Sequence, residues 1–177
     1  MPNRIFLVGP MGSGKTTIGR QLANALKKEF RDSDHEIVKR TGASIPLIFD
    51  IEGEEGFRRR ERTVIDDLTR QENLVLATGG GAVLAEENRK HLAERGTVVY
   101  LFATVNQLLK RTRRDRNRPL LQTEDPRGRL EALMQERDPL YRSVADTIVY
   151  TDDRSIRSVV KELLMRLRDL EAGDPSA

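Results

Sequence analysis

The sequence contains no cysteine. That absence excludes disulfides, thiolate metal sites and a cysteine nucleophile together, and it fits a reducing, cytoplasmic setting. Aromatics are scarce, with five Phe and three Tyr among 177 residues, and none is interleaved with basic residues as a nucleic-acid surface would require. Neither sign of charge dominates. The 31 Lys and Arg exceed the 28 Asp and Glu by only three, so a polyanionic nucleic-acid partner is not implied. No apolar run approaches the roughly 18 residues of a membrane span, and the first one is consumed by a strand rather than a signal peptide. No membrane partner is expected. A guanine-specifying N-K-x-D is also missing, which argues against a GTP switch.

What is present begins at residue 9. Gly9-Pro10-Met11-Gly12-Ser13-Gly14-Lys15-Thr16-Thr17 spells G-x-x-x-x-G-K-[ST] directly after the apolar run Ile5-Phe6-Leu7-Val8. A helical pattern follows, with Ile18, Leu22, Ala25 and Leu26 on one face. Polyphosphate concentrates charge in a small volume, so its site needs many donors converging without side chains in the way. Glycines let successive backbone N–H groups curl around the phosphates, and the helix behind them adds its positive end. In this pattern Lys15 bridges the outer phosphates. The Thr16 hydroxyl suits Mg²⁺, a hard cation shared between protein and phosphates. The bland alternative is a Gly-rich turn capping a helix.

Further apolar runs at residues 73–78, 97–102 and 147–150, and a weaker one at 29–32, alternate with helical patterns. One helix is predicted from Thr104, which has capping-box spacing to Gln107. Another starts at Ser155, with Ile156, Val159, Val160, Leu163, Leu164 and Leu167 on one stripe. Such alternation predicts an α/β fold, a parallel sheet wrapped by helices. With 37% hydrophobic residues the chain can bury one core, so residues 1–170 are expected as a single domain and 171–177 as a disordered tail. Two stretches interrupt the rhythm. Residues 33–71 insert helical pieces broken around Gly42 and Pro46, and residues 112–126 are polar, charged and proline-punctuated, as expected of a lid.

Several residues have chemistry suited to a second substrate. Asp32-Ser33-Asp34 ends the second strand, where ligands of open α/β sheets collect. Two acids there can hold metal-bound water and accept the proton of an attacking hydroxyl, or simply cap a helix. Phe57, Glu61, Val64, Ile65 and Leu68 form the expected buried side of the following helix, and an acid on that side is unusual. Arg58 lies three residues from Glu61, close enough to be fixed by it and to present a fork to a carboxylate. Arg59 and Arg60 read as exposed pairs of little consequence. The strand at 74–78 ends in Gly79, Gly80 and Gly81 rather than in an acid, which either lets a ligand approach the backbone or makes a flexible turn. Arginines cluster at 111–118 and at 127–142, and spacing does not choose among them. His35 and His91 each stand alone among charged residues and are expected on the surface.

Taken in order, the phosphate loop, Asp32-Ser33-Asp34, Gly53-Glu54 with Phe57-Arg58 and Glu61, the three glycines, Arg118-Pro119-Leu120 and Arg137 with Pro139-Leu140-Tyr141 resemble the shikimate kinase family over residues 4–168. The resemblance implies a three-layer α/β/α fold with a five-stranded parallel sheet, of the nucleoside-monophosphate-kinase style of P-loop NTPase. It implies a monomer that phosphorylates the 3-hydroxyl of shikimate, with ATP as co-substrate and Mg²⁺ as cofactor. Carried over by position, Gly12, Ser13, Gly14, Lys15, Thr16 and Thr17 hold the phosphates, and Thr16 with Asp32 serves the metal. Asp34 is the candidate base. Arg58 and Arg137 grip the substrate carboxylate, and the backbone of Gly79, Gly80 and Gly81 meets the substrate. Arg118 meets the ATP phosphates, while Arg111 and Arg154 flank the adenine. The alternatives are a related small-molecule kinase, such as one for gluconate, and a nucleotide-dependent regulatory or RNA-binding module.

Overall fold

The computed structural model describes residues 1–113 and 123–173. In chain order the elements are β1 (Arg4–Val8), α1 (Lys15–Leu26), β2 (Glu29–Asp32), α2 (Ser33–Thr41), α3 (Ile45–Leu68), β3 (Leu74–Ala77), a 3₁₀ turn (Ala82–Leu84), α4 (Glu86–Arg95), β4 (Thr97–Phe102), α5 (Val105–Thr112), α6 (Pro126–Val144), β5 (Thr147–Tyr150) and α7 (Ile156–Ala172). The five strands pair in parallel in the order β2-β3-β1-β4-β5. All five expected strands are found.

The three central strands, β1, β3 and β4, are apolar on both sides because helices cover both faces. On β1, Phe6 and Val8 point to one face, where they pack with Phe57, Ile65, Leu92 and Tyr141 from α3, α4 and α6. Ile5 and Leu7 point to the other, against Ile18 and Leu22 of α1 and Val159, Leu163 and Leu167 of α7. This is the three-layer arrangement that the resemblance implies. Ala23 rather than Ala25 completes the buried stripe of α1: it joins the cluster that includes Val159 and Leu163 of α7, while Ala25 is exposed. Among the described residues no helix is long and apolar enough to cross a membrane.

Local chemistry sets the helix boundaries. Thr104 and Ser155 cap α5 and α7, accepting from Gln107 N at 3.4 Å and Ser158 N at 3.1 Å. Gly42 ends α2 in the left-handed region, and Pro46 sits in the first turn of α3. Within α3 a further break falls at Gly53 (φ 72°, ψ 178°), so Glu54 opens a second helical segment whose buried side is Phe57, Glu61, Val64, Ile65 and Leu68 as expected. At the other end of the chain α7 runs to Ala172, into the stretch expected as tail, and closes on a left-handed Gly173. Of the expected lid, residues 114–122 lie outside the described residues, and so does the tail beyond Gly173.

β1 is the switch point of the sheet. The chain leaves β1 toward β2 at one edge and leaves its neighbour β4 toward β5 at the other, which opens a crevice beyond the carboxyl ends of the strands. The loop after β1 and the turn after β3 both discharge into that crevice.

Candidate active site

A cleft of about 610 Å³ occupies the crevice. Its floor is the loop of residues 9–14 and the first turn of α1. Gly14 is the N-cap of α1 at φ 95°, a left-handed conformation that glycine adopts at little cost, and no side chain caps the helix. The leading amides of α1 therefore face the cleft without a competing acceptor from a cap, at the positive end of a 12-residue helix. Thr16 and Thr17 are exposed on the cleft wall. Ser13 is buried beneath, and its hydroxyl has no partner among the described residues. The Lys15 ammonium lies over the loop, donating to the carbonyls of Gly9 at 2.6 Å and Pro10 at 2.8 Å.

At the end of β2 one carboxylate does two jobs. Asp32 Oδ1 accepts from the amides of Asp34 (3.0 Å) and His35 (3.2 Å), capping α2. Its Oδ2 accepts from the Thr16 hydroxyl at 2.8 Å. The capping and ligand readings of this acid thus coexist on separate oxygens. A hydroxyl and a carboxylate oxygen this close, beside a phosphate loop, are hard donors that fit Mg²⁺. The described residues contain no group of three or more Asp, Glu, His or Cys that could enclose a metal.

The far end of the cleft is charged and buried. Gly79 packs so closely on α2 and α3 that a Cβ there would lie 2.7 Å from Asp34 Oδ1 and 2.9 Å from Glu61 Oε2. A Cβ on Gly81 would fall 2.4 Å from both terminal nitrogens of Arg58. The turn is glycine because carboxylates and a guanidinium fill the space a side chain would need. Arg58 Nη1 donates to Glu61 Oε1 at 2.9 Å and Nη2 to Glu54 Oε1 at 3.3 Å. Burial works against the charge on Arg58, but Glu61 and Glu54 outweigh it and its pKa is raised. Burial pushes the Glu61 carboxyl up to about 7, helped by the negative charge of Asp34 and opposed by Arg58 and Arg137. Arg137 is 4% exposed. Glu61 Oε2 and the Nε atoms of Arg58 and Arg137 are buried without a partner among the described residues, as groups are that await a polar ligand.

At the opposite end Arg111 ties the phosphate loop to the segment after β5. It donates to the Gly12 carbonyl (3.2 Å), Thr151 Oγ1 (3.1 Å) and the Thr151 carbonyl (3.1 Å), and it lines the cleft. Arg154 is not among the cleft-lining residues. Its guanidinium is occupied by Glu162 Oε2 at 2.5 Å, the Tyr150 carbonyl at 3.0 Å and Ser158. Arg118 lies outside the described residues. Arg59 and Arg60 make the exposed pairs expected of them, with Glu55 and Glu52. His91 sits 3.7 Å from Asp66, whereas His35, expected on the surface, is exposed on the cleft wall itself.

Two residues gain roles that spacing did not suggest. Ser33 Oγ accepts from the Gly79 amide at 2.9 Å, across 46 positions of sequence. The Tyr141 hydroxyl donates to the Gly80 carbonyl at 2.5 Å, across 61 positions. Ser33 was visible only as part of an acidic triplet and Tyr141 only as the end of a motif, because their partners are main-chain atoms.

The arrangement combines a phosphate loop, a metal-suited oxygen pair and a buried cationic clamp beside two acids. A family model described as shikimate kinase matches residues 11–168. A shikimate kinase of Nitrosococcus oceani is 59% identical over 171 residues, covering 97% of this chain and 90% of the relative. The fold superposes on a solved shikimate kinase from Acinetobacter baumannii in complex with shikimate with a TM-score of 0.93, at 52% identity over 94% of this chain and 93% of the other. A gluconokinase from Sinorhizobium meliloti matches with a TM-score of 0.66 at 20% identity, covering 95% of this chain and 93% of that one, which shows a shared fold and no more. The chain belongs to the shikimate kinase family.

Proposed function

We propose that this chain transfers the γ-phosphoryl group of ATP to the 3-hydroxyl of shikimate, giving shikimate 3-phosphate and ADP. One observation carries the reading: a single cleft runs from the phosphate loop past Asp32 and Asp34 to the glycine turn, against which Arg58 and Glu61 pack. Nucleotide phosphates at one end and a hydroxy acid at the other would meet beside Asp34.

Phosphoryl transfer leaves little covalent work to the protein, so the residues act by positioning and by stabilising charge. The amides of residues 12–17 cradle the phosphates, and Lys15 leaves its loop carbonyls for the outer phosphate oxygens. Arg58 and Arg137 accept the substrate carboxylate as forks, while Gly79, Gly80 and Gly81 meet the ring through backbone. Asp34 aims the attacking hydroxyl and takes its proton. Arg111, with Arg154 from the other side, supports the adenine, and Arg118 neutralises the transferring group. Thr16 and Asp32 would hold Mg²⁺, which when bound neutralises phosphate charge. The same reading has the chain working as a monomer in the cytoplasm.

An ADP-release assay with shikimate and gluconate side by side tests the proposal. Turnover with shikimate and background rates with gluconate are expected; the reverse would assign the gluconate alternative.

A further inference from the structure

The glycine turn after β3 is held at three successive peptide units by three different partners. Ser33 Oγ accepts from the Gly79 amide. The Ala82 amide donates to the Gly79 carbonyl at 3.0 Å. The Tyr141 hydroxyl donates to the Gly80 carbonyl. All peptides here are trans, and a trans peptide points its carbonyl and the following N–H to opposite sides. By taking the two carbonyls, Ala82 and Tyr141 leave the N–H groups of Gly80 and Gly81 on the far sides of their planes. Neither N–H donates to another described residue. Gly81 itself lies against the Arg58 fork.

Tyr141 also stands one helical turn beyond Arg137 on α6, the spacing at which side chains meet. Burial raises the pKa of its hydroxyl, opposed chiefly by the charge of Arg137, so the group stays protonated and able to donate to Gly80. The hydroxyl that holds the turn thus belongs to the residue one turn from Arg137 on the same helix. The ring packs on Tyr100 with centroids 4.9 Å apart, a contact that phenylalanine would keep.

We infer that Tyr141 is a positioning residue for carboxylate recognition: its hydroxyl fixes the Gly80–Gly81 peptide to the helix that carries Arg137, so that backbone N–H donors and the guanidinium meet the substrate carboxylate as one preset unit. This rests on the reading of the chain as a kinase acting on shikimate. Seen this way, the turn is glycine for closeness and is rigid because a hydroxyl from α6 holds it.

The test is Tyr141→Phe beside Tyr100→Phe, which also loses a buried hydroxyl bond, to Asp138 at 2.7 Å, without touching the turn. Tyr141→Phe should raise KM for shikimate about three- to tenfold, the loss expected for one or two hydrogen bonds. KM for ATP and kcat should stay within twofold. Tyr100→Phe should leave KM for shikimate unchanged even if both variants melt a few degrees lower. Binding of the uncharged carboxamide of shikimate should differ less than twofold between parent and Tyr141→Phe. A KM for shikimate within twofold of the parent, or an equal loss with the carboxamide, overturns the inference. Should Tyr141→Phe fail to fold, amide exchange in the parent decides: shikimate should slow exchange at Gly80 and Gly81, and unchanged exchange contradicts the role. A parent enzyme that does not phosphorylate shikimate would instead overturn the functional reading beneath.

Discussion

The Thr16 hydroxyl and the Asp32 carboxylate meet at 2.8 Å, joining the first turn of α1 to the N-cap of α2. The contact places an oxygen pair at the mouth of the phosphate loop, and the other Asp32 oxygen holds α2 in place. Metal affinity and helix capping are therefore separable by substitution.

Asp32→Asn keeps an oxygen for the cap and loses the second carboxylate oxygen. The Mg²⁺ concentration for half-maximal activity should rise about 10- to 100-fold with little change in Tm. Asp32→Ala should add a capping loss of about 1 kcal/mol. Magnesium titrations and melting curves of the two variants check this; an unchanged Mg²⁺ requirement in Asp32→Asn would remove Asp32 from the metal site.

Glu61 makes stability depend on pH. Its carboxyl titrates at about 7 in the fold against 4.5 ordinarily, chiefly through burial. Between these values the native state binds the extra proton, so this group's contribution is fully present below about 4.5 and is lost as pH rises through about 7. Asp34, Arg58, Arg137 and Tyr141 all face it, but only Glu61 changes in Glu61→Gln. The stability of Glu61→Gln relative to the parent should increase from pH 5 to pH 8. Denaturant midpoints at the two pH values measure it, and a constant difference would mean that Glu61 titrates normally.

Gly81→Ala would force a methyl group into the space of the Arg58 guanidinium, 2.4 Å from its nitrogens. Arg58 must give up its place, and a charged hydrogen bond of about 1.5–3 kcal/mol to the substrate goes with it. KM for shikimate should rise about 10- to 100-fold while KM for ATP holds. Equal losses for both substrates would point to general distortion.

Arg118→Ala tests charge neutralisation on the transferring group. By the behaviour of arginine fingers, kcat should fall by about 10³ or more with smaller changes in KM. A kcat within a few-fold of the parent would reassign the role, with Arg113 and Arg114 the next to substitute.

The sequence carried the fold clearly where local rules and tertiary demand agreed. The strands at 5–8 and 97–102 are short apolar runs buried on both faces, and Thr104 and Ser155 cap the helices that their spacing announced. Glu61 stood out because an acid on an apolar stripe conflicts with burial unless something pairs with it, and Arg58 does. The helix that opens at Glu54 is legible in the sequence, whereas the φ of 72° at Gly53 before it serves a change of direction that no pattern of apolar residues encodes. Ser33 and Tyr141 escaped notice for a different reason. Their partners are main-chain atoms of Gly79 and Gly80, which every residue possesses and no spacing marks. Arg154, carried over from the resemblance, lies just before α7 and donates to Glu162 of that helix.

The most direct test of the account is ³¹P NMR of a mixture of enzyme, Mg²⁺, ATP and shikimate. The account predicts one new phosphomonoester, coupled to the ring proton at carbon 3 and formed in equal amount with ADP. Free orthophosphate alone, or an ester at another oxygen of the ring, would contradict it.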